Sequence, residues 1–332
     1  MRKIICVCFA VGCFAACADD KDVCSLDEVQ IEHLELQVNE MDSVLSVPQG
    51  INVFKDKLLI LEPKKSASML TVLSRDGFKY LFSGIDKGHA RHEVLSMRRD
   101  YFASTDTSFF VLGRNEEKEY VLRDSVIEYV GSTVFTIPDA LNGVLHLGGG
   151  KYITAGLTNG TGNEHLLYVD GKYEGFGKYP GADLKDGGNF FYNGSQTAGM
   201  AGKDKVWGFY KSHPLARCYD LEGNLLREIE IVDSHRKQVS ATDDRDLCYY
   251  KIKWNSRYIA VLYNAAYTWN EFYDLNKDER ERELQLWTWD GQLERRISFD
   301  KPYDIYAVSD DNMFYAMNVD VPNVIYTYDL NE

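Results

Sequence analysis

The stretch Lys205-Val-Trp-Gly-Phe-Tyr210 is a run of apolar and aromatic residues with the length of one buried β-strand. Comparable stretches recur along the chain: Leu58-Leu-Ile-Leu-Glu62, Phe109-Phe-Val-Leu-Gly113, Lys151-Tyr-Ile-Thr-Ala155, Tyr258-Ile-Ala-Val-Leu-Tyr263 and Met313-Phe-Tyr-Ala-Met317. A period of roughly 40–50 residues, with about four strands in each unit, is typical of a β-propeller. The sequence therefore predicts an all-β fold, a six-bladed β-propeller.

Each repeat also carries a turn signal between its last two strands. The signals are Asp76-Gly77, Asp124-Ser125, Asp170-Gly171, Glu222-Gly223, Asp290-Gly291 and, in the last repeat, Asp329-Leu330-Asn331. Asp-Gly favours the positive φ angles of tight hairpins. We therefore expect the third and fourth strands of each blade to be joined by a short turn.

The last repeat lacks its final strand, because the sequence ends at Glu332. The segment Ile31-Glu-His-Leu-Glu-Leu-Gln-Val38 alternates apolar and polar residues, as a half-buried strand does. Leu34, Leu36 and Val38 are expected to point into the last blade. An N-terminal strand that closes the last blade would remove the free edges of an open ring.

The first residues have the features of an export signal. Met1-Arg2-Lys3 is positively charged, and the apolar run that follows to Ala16 is too short to span a bilayer. Phe14-Ala15-Ala16-Cys17 resembles a bacterial lipoprotein signal, in which the cysteine is lipidated. Cys17 is the predicted acceptor; Cys13 and an uncleaved membrane anchor are the alternatives.

These features divide the chain into a signal peptide at 1–16, a lipidated acidic tether at 17–28 and a single propeller at 29–332. Asp19-Asp20-Lys21-Asp22 resembles the surface-export signal of Bacteroidota lipoproteins, and a solvated tether is the alternative. The predicted location is the cell envelope, with a lipid anchor in the outer membrane, facing either the periplasm or the outside.

The charge of the chain limits its partners. Removal of residues 1–16 leaves 35 basic and 51 acidic side chains, a formal net charge of −16. So acidic a surface argues against nucleic acid and against electrostatic attraction to anionic lipid. Membrane association is therefore expected through the N-terminal lipid only.

Cysteine usage is sparse in the body of the chain. Five of the seven cysteines lie at or before position 24, which leaves Cys218 and Cys248. Two cysteines cannot form a disulfide framework. We interpret them as small buried residues, with a disulfide between them as the alternative.

Two segments carry a resemblance to a known family. Val47-Pro48-Gln-Gly-Ile51, followed by the strand that ends at Pro63, resembles the opening of the TolB-like six-bladed propeller lipoproteins of Bacteroidota. Gly84-Ile-Asp-Lys-Gly88-His-Ala-Arg-His-Glu93 resembles their glycine-rich stretch, with Ala90 and Arg91 where glycine and proline are frequent. The resemblance implies the fold and a lipid-anchored setting, and it implies no catalytic residues.

Long loops are expected on one face of the propeller. They occupy residues 83–97, 131–143, 157–165, 180–193, 232–246 and 264–283. Loops longer than about 12 residues are uncommon unless they are functional or disordered. This face is the candidate binding face; the alternative is that the loops vary in length without a role.

The longest insertion, 264–283, is rich in aromatic residues. The candidate binding residues are Tyr263, Tyr267 and Trp269, beside Phe272 and Tyr273. Such rings can form a platform for a sugar or an apolar partner, or they can pack the insertion onto the blade. Secondary candidates stand where a strand meets a loop on the same face: Arg98, Tyr192 and His213.

No cofactor, metal or catalytic residue is predicted. His89-x-x-His92-Glu93 lacks the Glu that follows the first His in zinc proteases, and Asp274-x-Asn276-x-Asp278 lacks the Gly of a calcium loop. Neither a nucleophile elbow nor a phosphate-binding loop occurs.

Two functions remain open. The first is a non-catalytic binding or scaffold module for a glycan, a peptide or a partner protein. The alternative is a hydrolase or lyase with its active site in the central funnel. The absence of catalytic motifs favours binding.

Overall fold

The structure is a computed structural model that describes residues 22–42, 45–63, 67–135, 143–155, 163–180, 193–236, 246–276 and 279–332. Almost all regular structure in these residues is β, arranged as six sheets of four or five strands. Consecutive strands of each sheet are hydrogen-bonded neighbours, which is the arrangement of a propeller blade. The predicted six-bladed propeller is confirmed.

Blades 1 to 3 are four-stranded antiparallel sheets. Blade 1 contains β4 (Gly50–Phe54), β5 (Lys57–Leu61), β6 (Ser68–Ser74) and β7 (Tyr80–Asp86). Blade 2 contains β8 (Ala103–Ser104), β9 (Phe109–Leu112), β10 (Glu116–Leu122) and β11 (Ile127–Val134). Blade 3 contains β12 (Leu145–Gly148), β13 (Lys151–Ala155), β14 (Asn163–Val169) and β15 (Lys172–Lys178).

Blades 4 to 6 each include a strand from the N-terminal part of the chain. Blade 4 contains β16 (Ser195–Ala198), β17 (Lys205–Tyr210), β18 (Leu215–Asp220), β19 (Leu225–Val232) and β1 (Asp22–Ser25). Blade 5 contains β20 (Tyr249–Trp254), β21 (Tyr258–Tyr263), β22 (Glu283–Thr288), β23 (Leu293–Phe299) and β2 (Ile31–Leu34). Blade 6 contains β24 (Ile305–Val308), β25 (Met313–Met317), β26 (Val324–Asp329) and β3 (Gln37–Glu40).

The six stretches quoted from the sequence are the second strands of the six blades. Their side chains are almost entirely buried because both faces of a blade pack against neighbouring blades. Of the turns predicted between third and fourth strands, Asp170-Gly171, with φ of 50° and 80°, forms a two-residue hairpin between β14 and β15; those of blades 1, 2, 4 and 5 lie in connections of four or five residues. Positive φ at both positions is what a type I′ turn requires.

Residues 22–40, here called the N-terminal belt, run around the outside of blades 4, 5 and 6. β1 pairs in parallel with β19, β2 pairs in parallel with β23, and β3 pairs antiparallel with β26. A 3-10 helix at Leu26–Glu28 connects β1 to the next strand and buries Leu26 completely. The described part of the predicted tether, residues 22–28, is therefore a strand and a helical turn.

The last blade is closed by an N-terminal strand, as predicted, but by a shorter one. The alternating segment divides, so that Leu34 belongs to β2 on blade 5 while Val38 pairs with Tyr326 on blade 6. Leu36, between the two strands, is buried against the blade 5–blade 6 core, whereas Val38 is half exposed. The expectation that all three side chains enter the last blade is wrong, because one strand cannot follow the edges of two blades.

Apolar side chains fill the junctions between blades. Among the described residues, one cluster lies at each of the six junctions. Leu286 of blade 5 and Phe314 of blade 6 share one cluster, and Ile60 of blade 1 and Met317 of blade 6 share another. Burial of each such side chain contributes about 1.5–3 kcal/mol.

The two junctions of blade 3 also contain a buried glutamate. Glu117, on β10, accepts a hydrogen bond from the hydroxyl of Tyr152 (2.7 Å) and another from that of Tyr101. The ring of His146 lies beside it, with Nδ1 3.1 Å from Oε1 of the carboxylate. Since Tyr152 and His146 belong to blade 3, this carboxylate joins blade 2 to blade 3.

Glu164, on β14, plays the corresponding part at the next junction. Its carboxylate accepts hydrogen bonds from Tyr210 (2.6 Å), Ser195 (3.0 Å) and Tyr219 (3.3 Å), all of blade 4. Burial raises the pKa of Glu164, but the adjacent His165 and these hydrogen bonds outweigh it, so the net pKa lies below the usual value. The ionised carboxylate is therefore the form that joins blade 3 to blade 4.

Cys218 and Cys248 are both buried, and neither forms a disulfide. Burial raises the pKa of each thiol to about 12. They are packing residues at the junction of blades 4 and 5, so the disulfide alternative does not apply.

Candidate functional site

The two faces of the propeller differ in their connections. On one face, here the turn face, each connection between the first and second or third and fourth strands has at most six residues. The opposite face, here the long-loop face, carries longer connections, including 87–102 and 264–282. Because successive strands alternate in direction, the connections from a second to a third strand, and those from one blade to the next, share this face.

The insertion of blade 5 forms a short helix, α1 (Trp269–Asp274). Thr268 begins it with a capping box: its hydroxyl accepts from the Glu271 amide (3.3 Å), and the Glu271 carboxylate accepts from the Thr268 amide (2.9 Å). At the other end, Arg280 donates to the carbonyls of Tyr273 (3.2 Å) and Leu275 (3.1 Å). Both ends of α1 are thus fixed by local hydrogen bonds.

The aromatic residues of the insertion divide into an inner ring and an outer pair. Phe272 is buried, and its ring centre lies 4.8 Å from that of Tyr250 on β20. Trp269 and Tyr273, one helical turn apart, have ring centres 4.8 Å apart on the outer side of α1. Trp269 and Tyr267 are partly exposed, and Tyr273 is exposed. Phe272 thus packs the insertion onto blade 5, whereas Tyr267, Trp269 and Tyr273 keep part of their surface exposed, with Arg280 lying 5.5 Å from the ring centre of Tyr273.

Tyr263 does not belong to this surface. Its side chain is fully buried in β21, and its hydroxyl donates to a carboxylate oxygen of Asp233 (2.9 Å). Tyr263 therefore packs the blade 4–blade 5 junction and offers no ring to a ligand.

The secondary candidates lie on other blades of the same face. His213 follows β17, and its Nε2 lies 2.9 Å from the side-chain oxygen of Asn193; burial lowers the pKa of this histidine. Arg98 precedes β8, and its amide donates to Leu112 (2.8 Å). These residues belong to blade 4 and to the blade 1–blade 2 connection, and the insertion to blade 5. Tyr192 and Cys17 lie outside the described residues.

The degenerate glycine-rich stretch folds around its own carboxylate. Glu93 accepts a hydrogen bond from the Ala90 amide (2.8 Å), and its carboxylate fills the space where any side chain at Gly88 would stand. His89 and His92 are exposed on this loop. Within the described ranges, no group of three or more His, Cys, Asp and Glu side chains is placed to hold a metal ion.

Two lysines near the propeller axis were not singled out from the sequence. Lys251 and Lys253 occupy alternate positions of β20, the innermost strand of blade 5. Lys253 Nζ donates to the side-chain oxygen of Asn52 on β4 of blade 1 (3.3 Å), so it reaches past the intervening blade 6. Lys251 Nζ donates to the backbone carbonyl of Asp304, just before β24. Both side chains keep partial contact with solvent, so they line an open funnel.

The funnel lowers the pKa of both lysines to about 8. Enclosure by protein is the main cause, because it disfavours the charged ammonium. Asp304 opposes the shift at Lys251, whereas Arg99, Arg282 and Lys253 add to it; Asp100 opposes the shift at Lys253. Apart from the lysines themselves, two basic and two acidic side chains act on these amines, so it is the lysines that make the funnel cationic, in a chain whose overall charge is −14.

Asn52 completes the funnel wall. Its side chain is buried, and Lys253 fixes its orientation, because an ammonium can only donate and so must face the amide oxygen. The amide nitrogen then finds no hydrogen-bond acceptor among the described residues. An orphaned buried donor is uncommon in native proteins and calls for an explanation.

A scan against protein-family models gives no match, and neither does a search of the curated proteins. Among solved structures, a Bacteroides fragilis NCTC 9343 protein described as a "putative exported protein" is similar, with a TM-score of 0.59 and 12% identity, over 92% of this chain and 98% of that one. A DUF4221 family member from Bacteroides vulgatus ATCC 8482 has a TM-score of 0.56 and 9% identity, over 90% and 97%. These likenesses establish the fold.

In the part of the chain that the structure describes, no helix has the length and apolar character to cross a bilayer.

Proposed function

We propose that this protein is a lipid-anchored module of the cell envelope that binds a ligand on its long-loop face without catalysing a reaction. The ligand is a glycan, a peptide or a partner protein. The observation that carries the proposal is the Trp269–Tyr273 pair, displayed on a helix that closure of the propeller does not require. Adjacent accessible rings suit the apolar face of a sugar or of a partner side chain.

The direction in which the chain enters the fold supports this choice of face. β1 is parallel to β19, which runs from the turn face towards the long-loop face, so its first residue, Asp22, is its end nearer the turn face. Arg227, which binds the Asp22 carboxylate (2.7 Å), also donates to Asp290 at a turn of blade 5. Five residues from Cys17 to Asp22 span at most about 18 Å, so a lipid on Cys17 would hold the turn face near the membrane.

Exposed apolar residues stand at the same edge. Leu225 and Leu226, directly after a turn-face connection of blade 4, are 51% and 47% exposed. Placement beside a bilayer would cover them and leave the long-loop face free for a ligand. An envelope location also agrees with the description of the B. fragilis relative as exported.

The anchor is tested by Cys17→Ala in the native host. Loss of palmitate labelling and release from the membrane fraction are expected. Continued labelling would move the acceptor to Cys13 or exclude a lipoprotein.

The binding function is tested on glycan and peptide arrays with soluble protein that begins at Ala18, so that β1 is kept. The double variant Tyr267→Ala/Trp269→Ala should lose binding by tenfold or more, since an aromatic hot spot is worth about 2 kcal/mol, with little change in melting temperature. Tyr80→Ala removes a similarly exposed ring, 45% exposed on the outer edge of blade 1, and is the control. Equal binding by both variants would contradict the proposal.

A hydrolase or lyase acting in the funnel is the second candidate. The lowered pKa of Lys251 and Lys253 favours it, because an amine that is partly neutral near pH 8 can accept a proton from a substrate. Incubation of array ligands with the protein, followed by mass spectrometry, separates the two: new products would establish catalysis.

A further inference from the structure

We propose that the axial funnel contains a binding site for an oxyanion, that is, a carboxylate, phosphate or sulfate group, held by Lys251, Lys253 and the amide of Asn52. The inference deepens the proposed binding function, and it rests on that function for the presence of a ligand. It assigns the chemical class of the group that enters the funnel.

Lys251 and Lys253 are two residues apart on one strand, so their side chains leave the same side of β20. Lys253 and Asn52 meet across blades 5 and 1, which places their contact at the centre of the ring. Donors from two different blades therefore converge on one space.

Hydrogen-bond donors in the funnel outnumber the acceptors that they meet. Lys253 and Lys251 each have three N–H donors, and each has one acceptor identified above: the side-chain oxygen of Asn52 and the backbone carbonyl of Asp304. The Asn52 amide nitrogen has no acceptor among the described residues. An oxyanion supplies several acceptor lone pairs in one group, which matches this surplus of donors.

The charges in the funnel also favour an anion. The ionisable groups that act on the two amines are Arg99 and Arg282 on the basic side and Asp100 and Asp304 on the acidic side. With both lysines protonated, the cluster has two positive charges in excess. Enclosure lowers the stability of these charges, and a bound anion would restore it. A cationic funnel in an acidic protein thus favours an anionic guest.

The experiment is isothermal titration of the soluble protein with sodium sulfate, which stays divalent from pH 6 to 10. Binding should weaken as pH rises through about 8, the pKa of the two lysines. Below that region the lysines are already charged; near pH 8 binding should take up protons, which appears as a dependence of the heat on the ionisation enthalpy of the buffer. Affinity independent of pH would overturn the site.

Variants locate the site. Lys253→Met should weaken sulfate binding by about tenfold or more, the usual effect of losing a charge-assisted hydrogen bond. Lys205→Met is the matched control, because Lys205 is an exposed turn-face lysine paired with Asp290; it should bind as the parent does. Equal weakening in both variants would indicate general surface attraction and overturn the site. The pH series on the parent protein needs no variant and decides the question if Lys253→Met is unfolded.

Parallel titrations with phosphate and with glucuronate distinguish the sources of the anion. Preference for the sugar acid over acetate would identify an acidic glycan, and preference for phosphate a phosphorylated ligand. If sulfate, phosphate and glucuronate all fail to bind while array ligands still require Trp269, the oxyanion site is wrong and the proposed binding function stands.

Discussion

Blade 3 and blade 6 are joined to the ring by different chemistry. Blade 6 is completed by β3 of the N-terminal belt and packs through side chains such as Leu36 and Phe314. Blade 3 has smaller apolar clusters among the described residues, and each of its junctions contains a buried glutamate, Glu117 or Glu164.

The difference separates two kinds of stability. Apolar burial has no directional requirement and does not depend on protonation. A buried carboxylate costs desolvation energy unless every acceptor position is used, so it stabilises only with its partners in place. Blade 3 should therefore respond to pH and to loss of a single hydroxyl, and blade 6 to loss of the belt.

Removal of the belt should have the largest effect. A chain that begins after Glu40 loses the buried side chains of Leu26 and Leu36, about 1.5–3 kcal/mol each, and leaves the edge of β26 open. Since whole domains are stable by only about 5–15 kcal/mol, we expect unfolding or aggregation, measured by thermal melting and light scattering. A chain that begins at Asp22 keeps the belt and is the control; equal melting temperatures would mean that the ring closes without it.

Loss of Glu164 should come next. Glu164→Leu leaves the hydroxyls of Tyr210 and Ser195 without this acceptor in a buried site, at about 1–3 kcal/mol for each group. Glu164→Gln keeps an acceptor of the same shape and should cost less. Urea unfolding gives both values.

A double variant sharpens this test. Tyr210→Phe removes the orphaned hydroxyl, so adding it to Glu164→Leu should recover part of the lost stability. Simple additivity of the two single changes would contradict the account of this junction, because groups that act through one hydrogen bond are expected to couple.

The pH dependence should be moderate and specific to blade 3. The folded pKa of Glu164 is lowered, so its contribution is present above its ordinary value near 4.5 and is lost as pH falls through the folded pKa. The stability difference between the parent and Glu164→Gln should therefore be greatest near neutral pH and shrink in acid. A difference that stays constant down to pH 3 would mean that the ionised form has no special role.

The dependence of stability on pH above 10 tests the role of Tyr210. Burial, and then the charge of Glu164, raise the pKa of Tyr210 well above its usual value of 10. Its contribution is complete below pH 10 and is lost as pH rises further, because the unfolded chain releases this proton first. Tyr210→Phe should flatten the alkaline limb of the stability profile, measured by urea midpoints.

The smallest effect is expected at an ion pair of the belt. Arg295 binds the Glu32 carboxylate through two hydrogen bonds (2.8 and 2.6 Å), but Glu32 is partly exposed. Solvent screening limits such a pair to under about 1 kcal/mol, so Glu32→Gln should shift stability only slightly. The more exposed pair Arg123–Glu128 supplies a control, Glu128→Gln, with no measurable effect expected. A large loss from Glu32→Gln would mean that charge, and not main-chain pairing, holds the belt.

The sequence predicts the fold well because the deciding signals are local. An apolar run such as Tyr258–Tyr263 has strand length, and Asp170-Gly171 selects its turn type whatever surrounds it. The belt was predicted only in part. Asp22–Ser25 is too short and too polar to signal a strand, and its partners lie more than 200 residues away on β19. A strand this short, paired with so distant a partner, shows no recognisable periodic pattern in the sequence.

The candidate site was harder to predict than the fold for the same reason. Tyr263 is the last residue of a buried strand and is followed by an insertion. The sequence alone does not show whether its ring is buried with the strand or exposed with the insertion. Lys251 and Lys253 look like the solvated face of an alternating strand. What marks them as a candidate site is the contact of Lys253 with Asn52, a residue that lies 201 positions away in the sequence. A pair of lysines in an inner strand of an acidic protein was the available signal.

The belt also bears on the order in which the molecule can fold. Gln37 and Thr327, neighbours in blade 6, are separated by 290 residues. Closing so long a loop costs conformational entropy before any stabilising contact has formed. Pairings between such distant segments therefore slow folding. β3 is thus among the last strands to find its partner, since β26 must be present first. A chain interrupted before β26 leaves β3 without its partner strand, so the ring cannot close until β26 has been made.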